Sequence, residues 1–325
     1  MTAHPFRAGL AAGLDIGGTK TLAVAVDARG ALVGRARVAT DARHGDAVVE
    51  SAVEALERLA ADVGTPVAAF DVVGAGLPGW VVPSTGTVRH AVNIGVGPEP
   101  VAIAERLQRA TGVPTSVEND VNAAAFGASM VMGSADLAYL SIGTGLAAGL
   151  ISDGRLRRGA HGVAGEIGHL PVDPRGPACE CGQRGCLETV ASGAAIARRW
   201  RSDSGRPAVD LFAAAAAGAP AAVALRDEVA RHLATAVVIL TLTVDPAVVV
   251  LGGGVAEAGP PLLESVRAAL AERARDSELL ASLDLGDRLR LVPDALPVGA
   301  IGAALLARQH VGDALPPAAV AGGGG

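Results

Sequence analysis

Glu118, Asn119, Asp120 and Asn122 stand together in VENDVNAA, residues 117–124, where an apolar run gives way to a helical one. Carboxylates and amides at this density offer the paired acceptors and donors that grip a polyhydroxylated ligand. Asp120 is also a fit acceptor for the proton of a hydroxyl attacking a γ-phosphate. The plain alternative is a helix N-cap, for which Asp and Asn are well suited. One residue suffices for a cap, and four polar side chains exceed that need.

A second cluster lies downstream. All three cysteines of the chain, Cys179, Cys181 and Cys186, fall within eight residues. An odd number leaves one thiol over from any disulfide, and so dense a group points to metal rather than to bridges. His169, ten residues upstream of Cys179, completes a set of three thiolates and one imidazole, the donor set of a closed, structural zinc site. Gly182 and Gly185 let the loop turn tightly enough for the thiols to converge. Such a zinc does not by itself reveal an activity. Glu166 precedes His169 by three residues, however, and Glu188 follows Cys186 by two, so the metal is expected to hold a loop that presents two carboxylates to a substrate.

Three glycine-rich turns each follow an apolar strand: DIGGTK at 15–20, SIGTG at 141–145 and LGGGV at 251–255. Gly17, Gly18, Gly143, Gly145, Gly252, Gly253 and Gly254 allow backbone amides to approach phosphate oxygens. Thr19 and Thr144 add hydroxyl donors. Asp15, a carboxylate at the end of an apolar run, is placed to hold Mg2+ through water, and Lys20 adds positive charge. None of the three turns has the spacing of a Walker loop.

The elements that must position these residues form a repeating pattern. Gly13–Gly34 and Tyr139–Gly159 each read as strand, glycine turn, strand, polar turn, strand, which predicts a duplicated fold with one such glycine loop per half. Around them strands alternate with helices, predicted over 46–64, 99–112, 121–132, 219–244 and 259–275, the signature of α/β layers with a largely buried sheet. An N-terminal α/β lobe is expected over 1–118 and a C-terminal α/β lobe carrying the zinc loop over 119–298. A last helix, 299–310, is expected to pack back on the first lobe, ahead of a flexible tail over 311–325.

With 33 acidic against 27 basic residues the chain carries a net charge of -6, which argues against a nucleic-acid partner. Only seven aromatic residues occur (two Trp, one Tyr, four Phe), so a ligand is expected to be held by hydrogen bonds rather than stacking. The longest apolar run, 234–244, is too short to span a membrane, no targeting segment is visible, and a cytoplasmic protein is expected.

Taken together, DIGGTK, ENDVNAAAFG, GTG, GVAGEIGH and CECGQRGCLE resemble the ROK family of sugar kinases and repressors, and its glucokinase-like members above all. The resemblance runs from about Gly13 to His310. It implies an actin-like ATPase (ribonuclease H-like) fold with two lobes and the active site in the cleft, ATP and Mg2+ as cofactors beside the structural Zn2+, and a homodimer or higher oligomer. By the family pattern Asp120 is the catalytic base. Asn119, Glu166, His169 and Glu188 are the sugar contacts with Asp120, and Asn93 in AVNIGVG is a further one; His169 also joins the three cysteines on zinc. The implied activity is ATP-dependent phosphorylation of the 6-hydroxyl of a hexose, glucose first. N-acetylated amino sugars, mannose, fructose or a carbocyclic analogue are alternative substrates, and a non-catalytic sugar sensor is the alternative role. A repressor would need a helix-turn-helix ahead of the kinase fold, and the residues before Asp15 have no helical pattern. Two departures stand out: GVGPEP follows Asn93 where family glucokinases usually have a Trp, and GLAAGL follows the second turn where three glycines are common.

Overall fold

The structure, a computed structural model, describes residues 9–293 and 296–314. Two compact units make up the chain: one of Met1–Gly127 with Pro297–Gly325, the other of Ala128–Leu296.

The first unit opens with a meander. Strands β1 (Ala11–Ile16), β2 (Lys20–Val26) and β3 (Leu32–Ala39) pair antiparallel, joined by the 17–19 turn and a turn at 27–31. Helix α1 (Gly45–Val63) follows, capped by the His44 ring and ended by Gly64 in the left-handed conformation that only glycine adopts without strain. Strand β4 (Val72–Leu77) then enters parallel to β1, buried along its whole length, as an interior parallel strand must be. The hairpin β5 (Trp80–Val82) and β6 (Thr87–Arg89) leads to α2 (Ile103–Thr111), and β7 (Thr115–Asn119) adds parallel to β4. The order is β3-β2-β1-β4-β7. Helix α2 starts four residues later than its sequence pattern suggests, because Val101 exchanges backbone hydrogen bonds with Val88 and holds the chain extended.

Helix α3 (Asp120–Met132) begins in the first unit and ends in the second. The first unit therefore closes at Gly127 rather than at 118. The second unit repeats the plan: β8 (Leu137–Ile142), β9 (Leu146–Ser152) and β10 (Arg155–Leu156) form the antiparallel meander. The Cys/His loop and the helices α4 (Glu188–Ala191), α5 (Gly193–Arg199), α6 (Pro207–Ala216) and α7 (Pro220–Val244) follow. Strand β11 (Val248–Gly252) pairs parallel to β8. After α8 (Pro260–Arg275), α9 (Glu278–Ala281) and α10 (Leu285–Arg288), β12 (Leu289–Leu291) pairs parallel to β11. The order β10-β9-β8-β11-β12 is that of the first sheet. Two units with one five-stranded topology form the duplicated α/β plan that the paired turns predict, and that of the actin-like ATPase fold that the family resemblance implies.

The last helix, α11 (Val298–Ala314), belongs to the first unit. Its Ala300, Ile301, Ala304 and Ala307 pack on Ala11, Val24, Val26 and Val72 of β1, β2 and β4. The approach is backbone to backbone: a methyl on Gly74 would stand 1.9 Å from the Ala303 carbonyl oxygen. The helix continues to Ala314, past the 310 expected from sequence. What remains of the expected tail, 315–325, lies outside the described residues. No single helix among the described residues is long and apolar enough to cross a membrane.

Candidate functional site

In the first unit, β1, β4 and β7 run parallel, so their C-terminal ends share one edge of the sheet, where open α/β sheets bind ligands. Gly17, Gly18 and Thr19 leave β1 there, with Thr19 and Lys20 exposed. A methyl on Gly18 would lie 2.5 Å from the Asn93 carbonyl oxygen. The phosphate turn and the Asn93 segment therefore need each other's backbone, and Asn93 itself is exposed. Asp15 is half-buried, and its carboxylate accepts no hydrogen bond from any described residue. Desolvation pushes its pKa up, with Lys20 working the other way. A dipositive ion would relieve that penalty, so the donor fits a magnesium role.

The ENDVN stretch divides its labour. Asn119 Oδ1 accepts from the amides of Val121 at 3.0 Å and Asn122 at 3.1 Å, so Asn119 is the cap of α3. Its Nδ2 donates to the Gly79 carbonyl at 3.4 Å, in the bend between β4 and β5. Asp120 is the first residue of the helix and accepts from the Val121 amide at 2.9 Å. Glu118 and Asn122 are only 4% and 8% exposed. Glu118 Oε1 accepts from the Asn119 amide at 3.0 Å and from Asn122 Nδ2 at 3.1 Å. Of the four polar side chains, then, two face inward and brace the turn, and Asn119 and Asp120 stand at the strand end.

In the second unit, β8 and β11 are parallel neighbours, with Gly252 paired to Ser141. The second and third glycine turns consequently sit side by side. Gly252 and Gly253 answer to packing: added methyls would meet the Tyr139 ring and the Ile142 backbone. Gly143 and Gly254 face open space and leave room for a ligand. Thr144 is exposed at the tip of its turn.

The cysteine loop folds back as a small antiparallel clip, with bridges Pro171 to Cys186 and Ala178 to Arg184. One ligand atom each from His169, Cys179, Cys181 and Cys186 lies within 4.8 Å of the other three. Cys179 Sγ is 3.6 Å from His169 Nδ1 and Cys181 Sγ is 3.6 Å from Cys186 Sγ. Bonds of about 2.3 Å to a tetrahedral zinc give edges of about 3.8 Å, so the four residues fit the ion. The thiols also call for a cation. Hydrogen bonds from Gln183 pull Cys181 down, whereas burial and the neighbouring thiols push Cys186 up. A dication lets all three ionise. With Nδ1 turned to the thiols, His169 Nε2 faces Glu166, 4.0 Å from Oε2, and both side chains reach solvent.

Glu188 stands at the start of α4, half-buried, with Oε2 accepting from the Leu146 amide at 2.9 Å. Sequence reasoning missed this bond, and also the pair that holds the second turn from behind: Gly193 and Ala194 donate to the carbonyls of Gly143 at 2.7 Å and Thr144 at 3.3 Å. Their sequence signal is faint, a glycine at 145 and another at 193 where bulk would be refused.

The chain is 32% identical to a glucokinase of Halalkalibacterium halodurans over 322 residues, covering 92% of this chain and 94% of that one. It is 34% identical over 246 residues to an N-acetylmannosamine kinase of Vibrio cholerae, covering 74% and 83%. The structure superposes with a TM-score of 0.75 on a ROK family glucokinase from Streptomyces griseus solved in complex with glucose and AMPPNP, at 32% identity and over 93% and 100% of the two chains. The pattern of the ROK family itself matches residues 11–310, taking in both sheets, all three glycine turns and the Cys3His loop, and the chain belongs to that family.

Proposed function

We propose that this protein is an ATP-dependent hexose kinase that phosphorylates a primary sugar hydroxyl, with glucose as the first candidate. The observation that carries the reading is at the head of α3. Asn119 meets the capping need of the helix, and Asp120, its first residue, adds a carboxylate at the same strand end, a group suited to accept a hydroxyl proton. In this reading Asp120 orients the hydroxyl and takes its proton as the bond to phosphorus forms, worth about 10²–10⁴-fold. Asn93, Asn119, Glu166, His169 and Glu188 hydrogen-bond the sugar. Backbone amides of the turns 17–19, 143–145 and 252–254 receive the phosphates, with Thr19, Thr144 and Lys20 adding donors. Mg2+, held by Asp15, would neutralise charge on the phosphates, and Zn2+ on His169, Cys179, Cys181 and Cys186 would keep the sugar-facing loop in shape. An assay coupled to ADP release over a panel of hexoses tests the reading, and turnover with none of them would overturn it. The similarity to an N-acetylmannosamine kinase supports a second substrate, so the panel includes N-acetylmannosamine.

A further inference from the structure

Glu188 sits two residues beyond the zinc ligand Cys186, and by the reading above it faces the sugar. Its Oε2 is nevertheless fixed on the amide of Leu146, at 2.9 Å, and Leu146 is the residue that leaves the phosphate turn. The contact is built from both sides. A methyl on Gly145 would fall 2.4 Å from Glu188 Oε2, so no other residue type leaves the carboxylate its seat. Leu146 is 3% exposed, and without Glu188 its N–H would be a buried donor with nothing to bond. The other arm of the Cys/His loop closes on the same strand. A methyl on Gly168 would come 1.9 Å from the Leu146 carbonyl oxygen, and Ala148 N donates to the Gly165 carbonyl at 2.8 Å. Beyond Glu188, the first amides of α5 hold the carbonyls of Gly143 and Thr144. Among the described residues, the backbone hydrogen bonds that reach Gly143 and Thr144 from outside their own hairpin thus come from Gly193 and Ala194.

We propose that Glu188 is a positioning residue for the phosphate turn Gly143–Gly145, carrying the shape of the Cys3His loop through Leu146 to the nucleotide. One carboxylate oxygen serves the turn and leaves the other for the sugar. This inference rests on the kinase reading and deepens it: a residue of the sugar side sets nucleotide affinity, and by thermodynamic reciprocity occupation of either site is felt at the other.

Reach and charge are separable at this position. Glu188→Gln keeps the length and an acceptor oxygen, whereas Glu188→Asp keeps the charge but is one methylene short of the Leu146 amide. The affinity for Mg–AMPPNP is measured by calorimetry without sugar, alongside zinc content and hydrogen exchange at the Leu146 amide. The Gln variant is expected to bind within about threefold of the unsubstituted chain, and the Asp variant about tenfold or more weakly, with zinc retained and Leu146 exchanging faster. An Asp variant that binds AMPPNP normally, or one that loses affinity only together with its zinc, overturns the proposal. If the unsubstituted chain fails to bind Mg–AMPPNP, the kinase reading falls as well.

Discussion

At the scale of single residues, Asp120 and Glu188 can each be tested by one amide substitution. Asp120→Asn keeps size and the acceptor for Val121, and the helix cap belongs to Asn119. Thermal stability and binding of both substrates should therefore be retained while the turnover number drops by about 10²–10⁴-fold. A variant with normal turnover would show that Asp120 is not the base. Glu188→Gln keeps its bond to Leu146 but replaces with an amide the carboxylate proposed to meet the sugar. The Michaelis constant for sugar should rise by the equivalent of about 1–3 kcal/mol, with that for ATP nearly unchanged. Steady-state kinetics with each substrate varied in turn separate this from a folding defect, which would move both.

At the scale of elements, the first sheet, which carries the turn 17–19, depends on how closely α11 can lie on it. Gly13 and Gly74 face the carbonyl oxygens of Ala300 and Ala303, and an added methyl would reach 1.9 Å in each case. Backbone cannot move aside as a flexible side chain can. Gly74→Ala should thus cost about 1–3 kcal/mol or more and lower the melting temperature by several degrees, as calorimetry would read. An unchanged melting curve would mean that α11 is not seated as described. The position is buried within β4 and remote in sequence from the glycine turns, so its effect is on the platform rather than the chemistry.

At the scale of the whole molecule, the Cys3His loop is the place, among the described residues, where a metal would stand in for a hydrophobic core. Cys186 is fully buried, but Cys181 is exposed and the loop carries few apolar side chains of its own. Replacing Cys181 with Ser should abolish metal retention and weaken sugar binding, because Glu166, His169 and Glu188 all hang on that loop. Elemental analysis should find about one zinc per unsubstituted chain and none in the variant. A metal-free chain with full activity would remove zinc from the account.

The residue sequence alone determined the features that are local in origin. Alternating and continuous apolar runs encode burial, so most strands of the two sheets and the long helices were legible, down to the matching meanders of the two units, though not the short β12. Glycines mark turns, so the three phosphate-turn candidates could be found. Close spacing confines Cys179, Cys181 and Cys186 to one loop before any folding is considered. The tertiary structure decided whatever depends on partners distant along the chain. VENDVNAA offers four equivalent polar side chains, and only the packing of β7 and α3 turns Glu118 and Asn122 inward and leaves Asn119 and Asp120 at the strand end. The late start of α2 follows from the pairing of Val101 with Val88, which no helical propensity reveals. Gly252 and Gly253 read as phosphate glycines, yet their lack of a side chain is demanded by Tyr139 and Ile142 on the neighbouring strand. The bond from Leu146 to Glu188 spans 42 residues. Hydrophobic periodicity reports which face of an element is buried, but a single hydrogen bond between loops leaves no periodic trace, and only the folded chain brings its two ends together.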